Sequence, residues 1–442
     1  MLQAGPKVSE IRELFKNHGA NAWSKLQQKY GDNYMLQGIW ICSDPVWVER
    51  LLMQKIHTQN RSLSYKKRRD FVPLASGMLF MDGEDWQKRL VAVMPSFTRT
   101  DVEKYSQNML SVLGRVWKEV NPGNIQDVYP FLVQINKQHL FEVGYGLDSE
   151  SKKVMKLADA FINYKFYRME PKHRVDLFGF QIKDIPALYR TWRSARTCRK
   201  LENQFITRLE ELDESVMQQS TGKGLDWYRR LKSAGFSNAE TALEMNHLYS
   251  AYNALDYVLT CALVELAKNP EWQQFLGDEW GKQKIESEGW TWDHWQKLPL
   301  MQSFIKEVLR CYPATMGVSR RLGEDISVGD RTLKEGQEVL IPLYPLHFHP
   351  DHWERPEQFD PKRWNQEPEN PYTYIPFLKG SRHCIGRHLA EMNMMLVLGS
   401  FLERFRIKPT NDFPSINQFM MPRFEKEIAI EIELIEKSTS HK

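Results

Sequence analysis

The stretch Phe377–Gly386, Phe-Leu-Lys-Gly-Ser-Arg-His-Cys-Ile-Gly, concentrates the residue types best suited to chemistry in this chain. One cysteine stands between two glycines, beside a basic cluster and immediately before a helix-like run. Glycine lets a backbone turn tightly and approach a flat ligand. Arg382, His383 and the N-terminus of the following helix would each lower the Cys384 thiol pKa and favour a thiolate, the form that ligates metals or acts as a nucleophile. The other cysteines, Cys42, Cys198, Cys261 and Cys311, read as small buried hydrophobes. Five cysteines, an odd number with no C-x-x-C pair, argue against a disulfide scaffold and for a reducing compartment.

The elements that must position this loop are mostly helical. Residues 10–30 have the spacing of an amphipathic helix, 33–42 of a strand, and Pro45 opens another helix. From about Asp101 to Pro313 the pattern is almost entirely helical. Within it, 246–268 carries only Asp256, Glu265 and Lys268 as formal charges, which marks a helix buried on most sides. Asn269-Pro270 ends it and caps the next. After Pro313 the period changes: Ile326–Leu333 and Glu338–Leu343 read as a hairpin joined by 334–337. Helix returns at Arg387–Phe405, and Ile428–Leu434 alternates as a strand with one wet face. The expected fold class is mainly α with small peripheral β-sheets, in a single domain over 1–442.

The pattern F-x-x-G-x-R-x-C-x-G at 377–386 resembles the haem-binding signature of the cytochrome P-450 superfamily. Three further segments agree in order and spacing. Glu307-Val308-Leu309-Arg310 matches E-x-x-R, whose i and i+3 side chains share a helix face. Phe359–Trp364 resembles the P-E-R-F segment whose arginine joins that pair, with Lys362 and Trp364 as variations. Trp86, Pro95 and Phe97 match W-x(8)-P-x-F. The resemblance covers residues from about 30 to 435 and implies the P-450 fold and haem b as cofactor. It makes Cys384 the axial ligand of the haem iron, through a thiolate that favours O–O cleavage, with Phe377 shielding its sulfur. Arg382, Arg320 and Trp86 become haem propionate contacts, since a buried dianionic rim needs such donors. Glu307, Arg310 and Arg363 become structural. Residues 314–317, Thr315 and Met316 among them, should line the substrate pocket with Ser250.

Two departures stand out. The family usually has a basic residue four after the tryptophan. Here that position is Leu90, with Lys88 and Arg89 just before it, so either Arg89 reaches the haem from a shifted geometry or the contact is absent. Counting back from Pro270, the oxygen groove falls on Ser250–Ala254, where the family usually has A-G-x-(D/E)-T. Ala251 keeps the small residue, but Asn253 replaces the acid and Ala254 the threonine. A one-residue shift does not repair this, because Asp256 is followed by Tyr257. The usual acid–alcohol relay, worth about 10²–10⁴-fold as general-acid help, is therefore missing. A substrate hydroxyl or ordered water completes the relay, or the enzyme uses peroxide, or it isomerises an oxygenated substrate without O₂.

The implied activity is monooxygenation of a hydrophobic small molecule. Electrons would come from a separate ferredoxin or flavodoxin with its reductase, drawn to a basic face of Lys379, Arg382, Arg387, Lys88 and Arg89. A haem protein that binds ligand without turnover is the alternative class. A zinc metallohydrolase is the remote one: His347–His352 fits the H-x-H-x-D-H of metallo-β-lactamase-like enzymes, yet only 90 residues follow it. The same stretch also serves as the connection into Phe359. The formal charge of +4 is too small to imply nucleic acid, and Lys66–Arg69 reads as a solvated loop. No stretch approaches the roughly 18 apolar residues of a membrane crossing, and 1–16 lacks a signal peptide's apolar core. The expectation is a soluble, cytoplasmic monomer, although an anchor removed upstream would leave no trace.

Overall fold

The computed structural model describes residues 5–19, 21–53, 59–60, 77–125, 128–147, 153–154, 156–157, 160, 185–211, 227–283, 289–410, 413, 416–417, 423–424 and 427–435. Contacts divide the chain into two compact units: residues 1–60, 97–137 and 251–442 in the first, 61–96 and 138–250 in the second. The Asn238–Lys268 helix contributes to both. Mainly helical architecture with small sheets is what the sequence pattern leads one to expect, and no helix among the described residues is long and apolar enough to cross a membrane.

The first unit holds the main sheet, in the order Asn33–Leu36, Ile39–Cys42, Glu338–Pro342, Gly317–Leu322, Gln59–Asn60. The single strand expected over 33–42 is a two-stranded hairpin. Gln37 and Gly38 both take positive φ, 48° and 79°, the backbone of a type I′ turn. The hairpin expected between 326–333 and 338–343 also pairs differently. Residues 326–328 and 331–333 close on each other around Gly329-Asp330. Glu338–Pro342 runs antiparallel to Gly317–Leu322 and parallel to Ile39–Cys42. Under this sheet lies a core of Trp40, Trp47, Val318, Ile341 and Ile375 with their neighbours.

The 10–30 helix is two, Val8–His18 and Asn21–Tyr30, parted at Gly19 (φ 54°). Asn269 does not cap the following helix with its side chain. It turns back instead, its Nδ2 donating to the Glu265 carbonyl at 2.9 Å, while Pro270 takes the first-turn position as expected. The Arg387–Arg404 helix passes at Phe405 into a strand, which pairs with Ile430–Leu434 and through it with Gly123–Ile125. The alternating tail thus buries Ile430 and Ile432 and leaves Glu431 wet.

Candidate active site

Cys384 sits on a loop that the backbone itself holds rigid. Its N–H donates to the Phe377 carbonyl at 2.8 Å, and Leu378 N–H to the Ile375 carbonyl at 2.9 Å. A 3-10 turn over Gly380–Arg382 follows, closed by His383 N–H on the Gly380 carbonyl. Gly380 is required here: its φ is +76°, and a Cβ would stand 1.9 Å from the Leu52 carbonyl oxygen. Gly386 is different. Its φ is −81° and an added Cβ would find only ordinary contacts, with the Phe97 ring and Cys384 Sγ at 3.8–3.9 Å. Of the two glycines beside the cysteine, only the first is demanded by conformation.

The electrostatics differ from the sequence expectation. Crowding by protein raises the Cys384 thiol above its ordinary pKa, and this is the largest influence on it. A Gly386 backbone N–H bonded to sulfur lowers it, Glu391 raises it, and Arg387 lowers it. Arg382 and His383 do not figure among these causes. The reason is placement: Arg382 is buried, while His383 is exposed and turns its Nδ1 to the Gly380 carbonyl. Yet Cys384 also presents open surface. Phe377 is half-buried on the same loop, with the Arg387 guanidinium 5.9 Å from its ring centre.

Glu307, Arg310 and Arg363 come together as expected. Arg310 forks onto Glu307 through Nε and Nη2, both at 2.9 Å, and Arg363 Nε adds a contact at 3.0 Å. Arg310 also donates to the carbonyls of His347, Pro356 and Gln358. A further member had no signal in the motif: Trp364, whose indole N–H donates to Glu307 Oε2 at 3.0 Å. With the Asp360 N–H and the more distant Cys311 thiol at 3.9 Å, Glu307 accepts six hydrogen bonds. A fully buried carboxylate is tolerable only when so satisfied.

The histidine cluster belongs to this same scaffold. His347 Nε2 accepts from Ile375 N–H, so Nδ1 carries the proton and donates to the Arg310 carbonyl. Burial pushes its pKa down to about 3, and it stays neutral. The Asp351 backbone nitrogen stands 3.1 Å from His349 Nδ1, and His349 Nε2 faces Asp32 Oδ1 at 3.1 Å. Both rings spend both nitrogens on protein partners, and no cluster of three or more His, Cys, Asp or Glu side chains among the described residues is arranged to hold a metal ion. The zinc-hydrolase motif is therefore a coincidence of spacing.

On the long helix, Ala251 is exposed, Ala254 is half-buried, and Asn253 has a solvent-shielded Oδ1 without a hydrogen bond. The acid nearest in sequence, Asp256, is occupied: Asn136 Nδ2 donates to its Oδ1 at 2.6 Å. The Ser250 side chain lies outside the described residues, as do Lys66–Arg69. Arg320 is buried on its strand, its Nη1 donating to the Ser319 carbonyl. Thr315 is exposed and Met316 buried.

Trp86 and Arg89 belong to the second unit, on the Gly83–Val93 helix. Trp86 is buried there. Arg89 is committed to acids, with Nε 3.0 Å from Glu244 and Nη2 3.1 Å from Glu240. Glu244 also accepts the Met78 N–H. Of the two sequence readings of Arg89, the shifted haem contact loses its guanidinium to this network. The expected basic face shrinks accordingly: Arg89 and Arg382 are buried, Lys88 and Arg387 are exposed, and Lys379 is half-buried against Tyr372.

Cytochrome P450 3A16 of Mus musculus is 23% identical over 446 residues, covering 92% of this chain and 86% of its own length. Cytochrome P450 4Z1 of Homo sapiens is 25% identical, covering 91% and 84%. The solved structure of retinoic acid-bound cyanobacterial CYP120A1 superposes with a TM-score of 0.77 over 96% of each chain at 18% identity, a likeness of fold. The family model described as Cytochrome P450 matches residues 7–430, and on that match the chain belongs to the cytochrome P450 family, whose members carry haem and are in general monooxygenases.

Proposed function

We propose that this protein is a haem-thiolate monooxygenase that hydroxylates a hydrophobic small molecule, with Cys384 as the axial ligand. The observation that carries the reading is the Cys384 loop: a rigid turn that presents one partly open thiol, with a backbone N–H on its sulfur. The residues suit haem b. A sulfur donor with open surface is present, the Phe377 ring is on the same loop, and two buried guanidiniums, Arg320 and Arg382, suit a dianionic rim. Trp86 would be a third donor to that rim. When bound, the haem supplies oxygen activation and insertion. The chain's own residues hold and shield it. Because the thiol alone is raised above its ordinary pKa, ligation must displace its proton, so loading depends on pH. Glu307, Arg310 and Arg363 hold the segment that approaches the loop.

Thr315 and Met316, with Ser250, would contact the substrate, and Ala251 would be the small residue of that wall. Asn253 and Ala254 offer neither an ionised acid nor a hydroxyl, and Asp256 is taken by Asn136. The Asn253 and Ala254 side chains could therefore pass on no proton, and a substrate hydroxyl or an ordered water would have to take that part. That same observation favours a second reading, a peroxygenase or an isomerase that needs no O₂ activation. Electrons would arrive from a ferredoxin or flavodoxin at the exposed Arg387 and half-buried Lys379.

The test is the reduced-CO difference spectrum of haem-loaded protein. The strongly red-shifted band of thiolate ligation is expected. Cys384→Ala should abolish it, while alanine at Cys42, Cys261 or Cys311 leaves it intact. A spectrum unchanged by Cys384→Ala overturns the assignment. Consumption of NADPH through a donor chain, coupled to product, then separates an enzyme from a ligand-binding protein.

A further inference from the structure

Three non-glycine residues among those described hold a positive φ: Gln37 at 48°, Arg355 at 46° and Leu378 at 58°. Gln37 turns a hairpin and Arg355 is exposed. Leu378 alone of the three is apolar, and it packs against the core under the main sheet. A left-handed backbone sets Cβ against the carbonyl oxygen, so a bulky apolar residue there needs a cause. Two residues on, Gly380 takes the same region at 76° with no Cβ to oppose it. Glycine at 378 would ease the backbone in the same way, but would give up the contact with the core.

The peptide between Phe377 and Leu378 carries two of the bonds that shape the cysteine loop. Its N–H, from Leu378, donates to the Ile375 carbonyl at 2.9 Å, and its carbonyl, from Phe377, accepts the Cys384 N–H at 2.8 Å. Because a peptide is planar, these two bonds fix its orientation. The φ of Leu378 then sets the direction in which the chain leaves that plane on its way to Cys384. Ile375 is tethered on its other side as well: its N–H donates to His347 Nε2 at 3.2 Å, and His347 Nδ1 donates to the Arg310 carbonyl at 3.2 Å. Leu378 therefore stands between the buried Glu307–Arg310 scaffold and the sulfur-bearing end of the loop.

Backbone strain persists only where the surroundings over-determine it. Here the tether through Ile375 and the side chain's contact with the core do so from two directions. We propose that Leu378 is a positioning residue for Cys384: its core-packed side chain holds the left-handed turn that brings the Cys384 N–H onto the Phe377 carbonyl. A metal ligand must be kept within about 0.5 Å of its working place, and this turn is the device that keeps it. The inference rests on the reading of Cys384 as axial ligand for its consequence, and on the loop's own geometry for its mechanism.

The test is amide hydrogen exchange on the full-length, haem-loaded protein, resolved to single residues by mass spectrometry, with the reduced-CO spectrum read on the same samples. Leu378→Ala and Leu378→Gly both give up the core contact, but only alanine keeps a Cβ. The Cys384 N–H should exchange faster than in the wild type in both, and about fivefold faster with alanine than with glycine. Leu378→Met should match the wild type. Leu378→Ile has the same atoms as leucine but a β-branch that positive φ disfavours, and should exchange about as fast as the alanine variant. Amides of 392–402 should be unchanged throughout, and the red-shifted CO band should shrink in the order methionine, glycine, alanine. Where the smaller variants do not accumulate folded protein, methionine and isoleucine decide. Exchange reports the turn whether or not the sulfur ligates haem, so the two readings fail separately. A spectrum indifferent to Cys384→Ala overturns the ligand assignment. Alanine exchanging no faster than glycine, isoleucine matching methionine, or equal acceleration across 392–402 overturns the role of Leu378.

Discussion

Trp364 and Trp353 allow a controlled measurement of what the Glu307 carboxylate is worth to this fold. Both indoles are buried to the same extent, at 6% exposure, and their rings are 5.4 Å apart. Each makes one hydrogen bond of 3.0 Å, Trp353 to the neutral Leu346 carbonyl and Trp364 to Glu307 Oε2. Each also stands about equally far from a cation, Arg310 at 5.4 Å from the Trp353 ring and Lys306 at 5.4 Å from that of Trp364. Replacement by phenylalanine therefore makes nearly the same cut at both sites, and differs in the acceptor stranded. A hydrogen bond to a neutral acceptor contributes about 0.5–1.5 kcal/mol and one to a charged acceptor about 1.5–3 kcal/mol. Trp364→Phe should thus cost about 1 kcal/mol more than Trp353→Phe, although it restores the residue type the family motif carries. Glu307→Gln should exceed both, at about 3–5 kcal/mol, because it leaves the buried Arg310 and the half-buried Arg363 without their carboxylate. Urea unfolding followed by far-UV dichroism reads the order, provided the slopes agree. If the two tryptophan variants are equal, or Trp353→Phe is the more costly, the ranking by acceptor charge is wrong.

Gly380→Ala should fail to accumulate folded protein or lose several kcal/mol, since φ and the Leu52 oxygen both oppose it, whereas Gly386→Ala should retain most of the stability; comparable melting curves would contradict this. The Asp32–His349 pair predicts a pH window. Asp32 is held below 3.8 by its bond to His349, so its contribution is present above that value and fades as pH falls through the folded pKa. His349 is raised above 6.5 by Asp32, so its contribution is complete below 6.5 and is lost as pH climbs through the folded value. Stability of the wild type relative to Asp32→Asn should therefore peak between 3.8 and 6.5; a pH-independent difference would remove the ion pair from the account. Asn253→Asp with Ala254→Thr should raise the fraction of electrons that reach product, or leave it unchanged where substrate supplies the hydroxyl. Tight wild-type coupling on a substrate without any hydroxyl, with no ordered distal water, would show the missing pair to be irrelevant.

What was legible in the sequence follows from how local each constraint is. The tight turn of the 377–386 loop could be read from its own residues, but the bond from the Cys384 N–H to the Phe377 carbonyl could not, and neither could the Leu52 oxygen that requires Gly380. The long helix announced itself by a lack of charges, and the tail strand by alternation. The 33–42 hairpin was missed because Gln37 is an unusual occupant of a left-handed turn position, and Gln-Gly gives a weaker signal than Asn-Gly. The partner of Glu338–Pro342 was missed for another reason. Its neighbours are set by a parallel pairing with residues some 300 positions earlier, a separation over which periodicity carries no information. Trp364 escaped because a tryptophan reads first as bulk, and only the position of Glu307 turns its N–H into a ligand.

Charged residues show the limit most clearly, because a cation's meaning depends on which anion reaches it first. Arg89 and Arg382 look alike in sequence, each flanked by a second basic residue, and both were expected to strengthen a basic surface. In the fold Arg89 meets Glu240 and Glu244 from the long helix and becomes an internal tie, while Arg387, further along the chain, is the residue whose charge touches Cys384. The thiol itself follows the same logic in reverse. Basic neighbours in sequence suggested a lowered pKa, yet protein crowding outweighs the Gly386 N–H and Arg387 together and raises it. On that balance an unligated Cys384 is a poor thiolate, which weighs against a role as a free nucleophile.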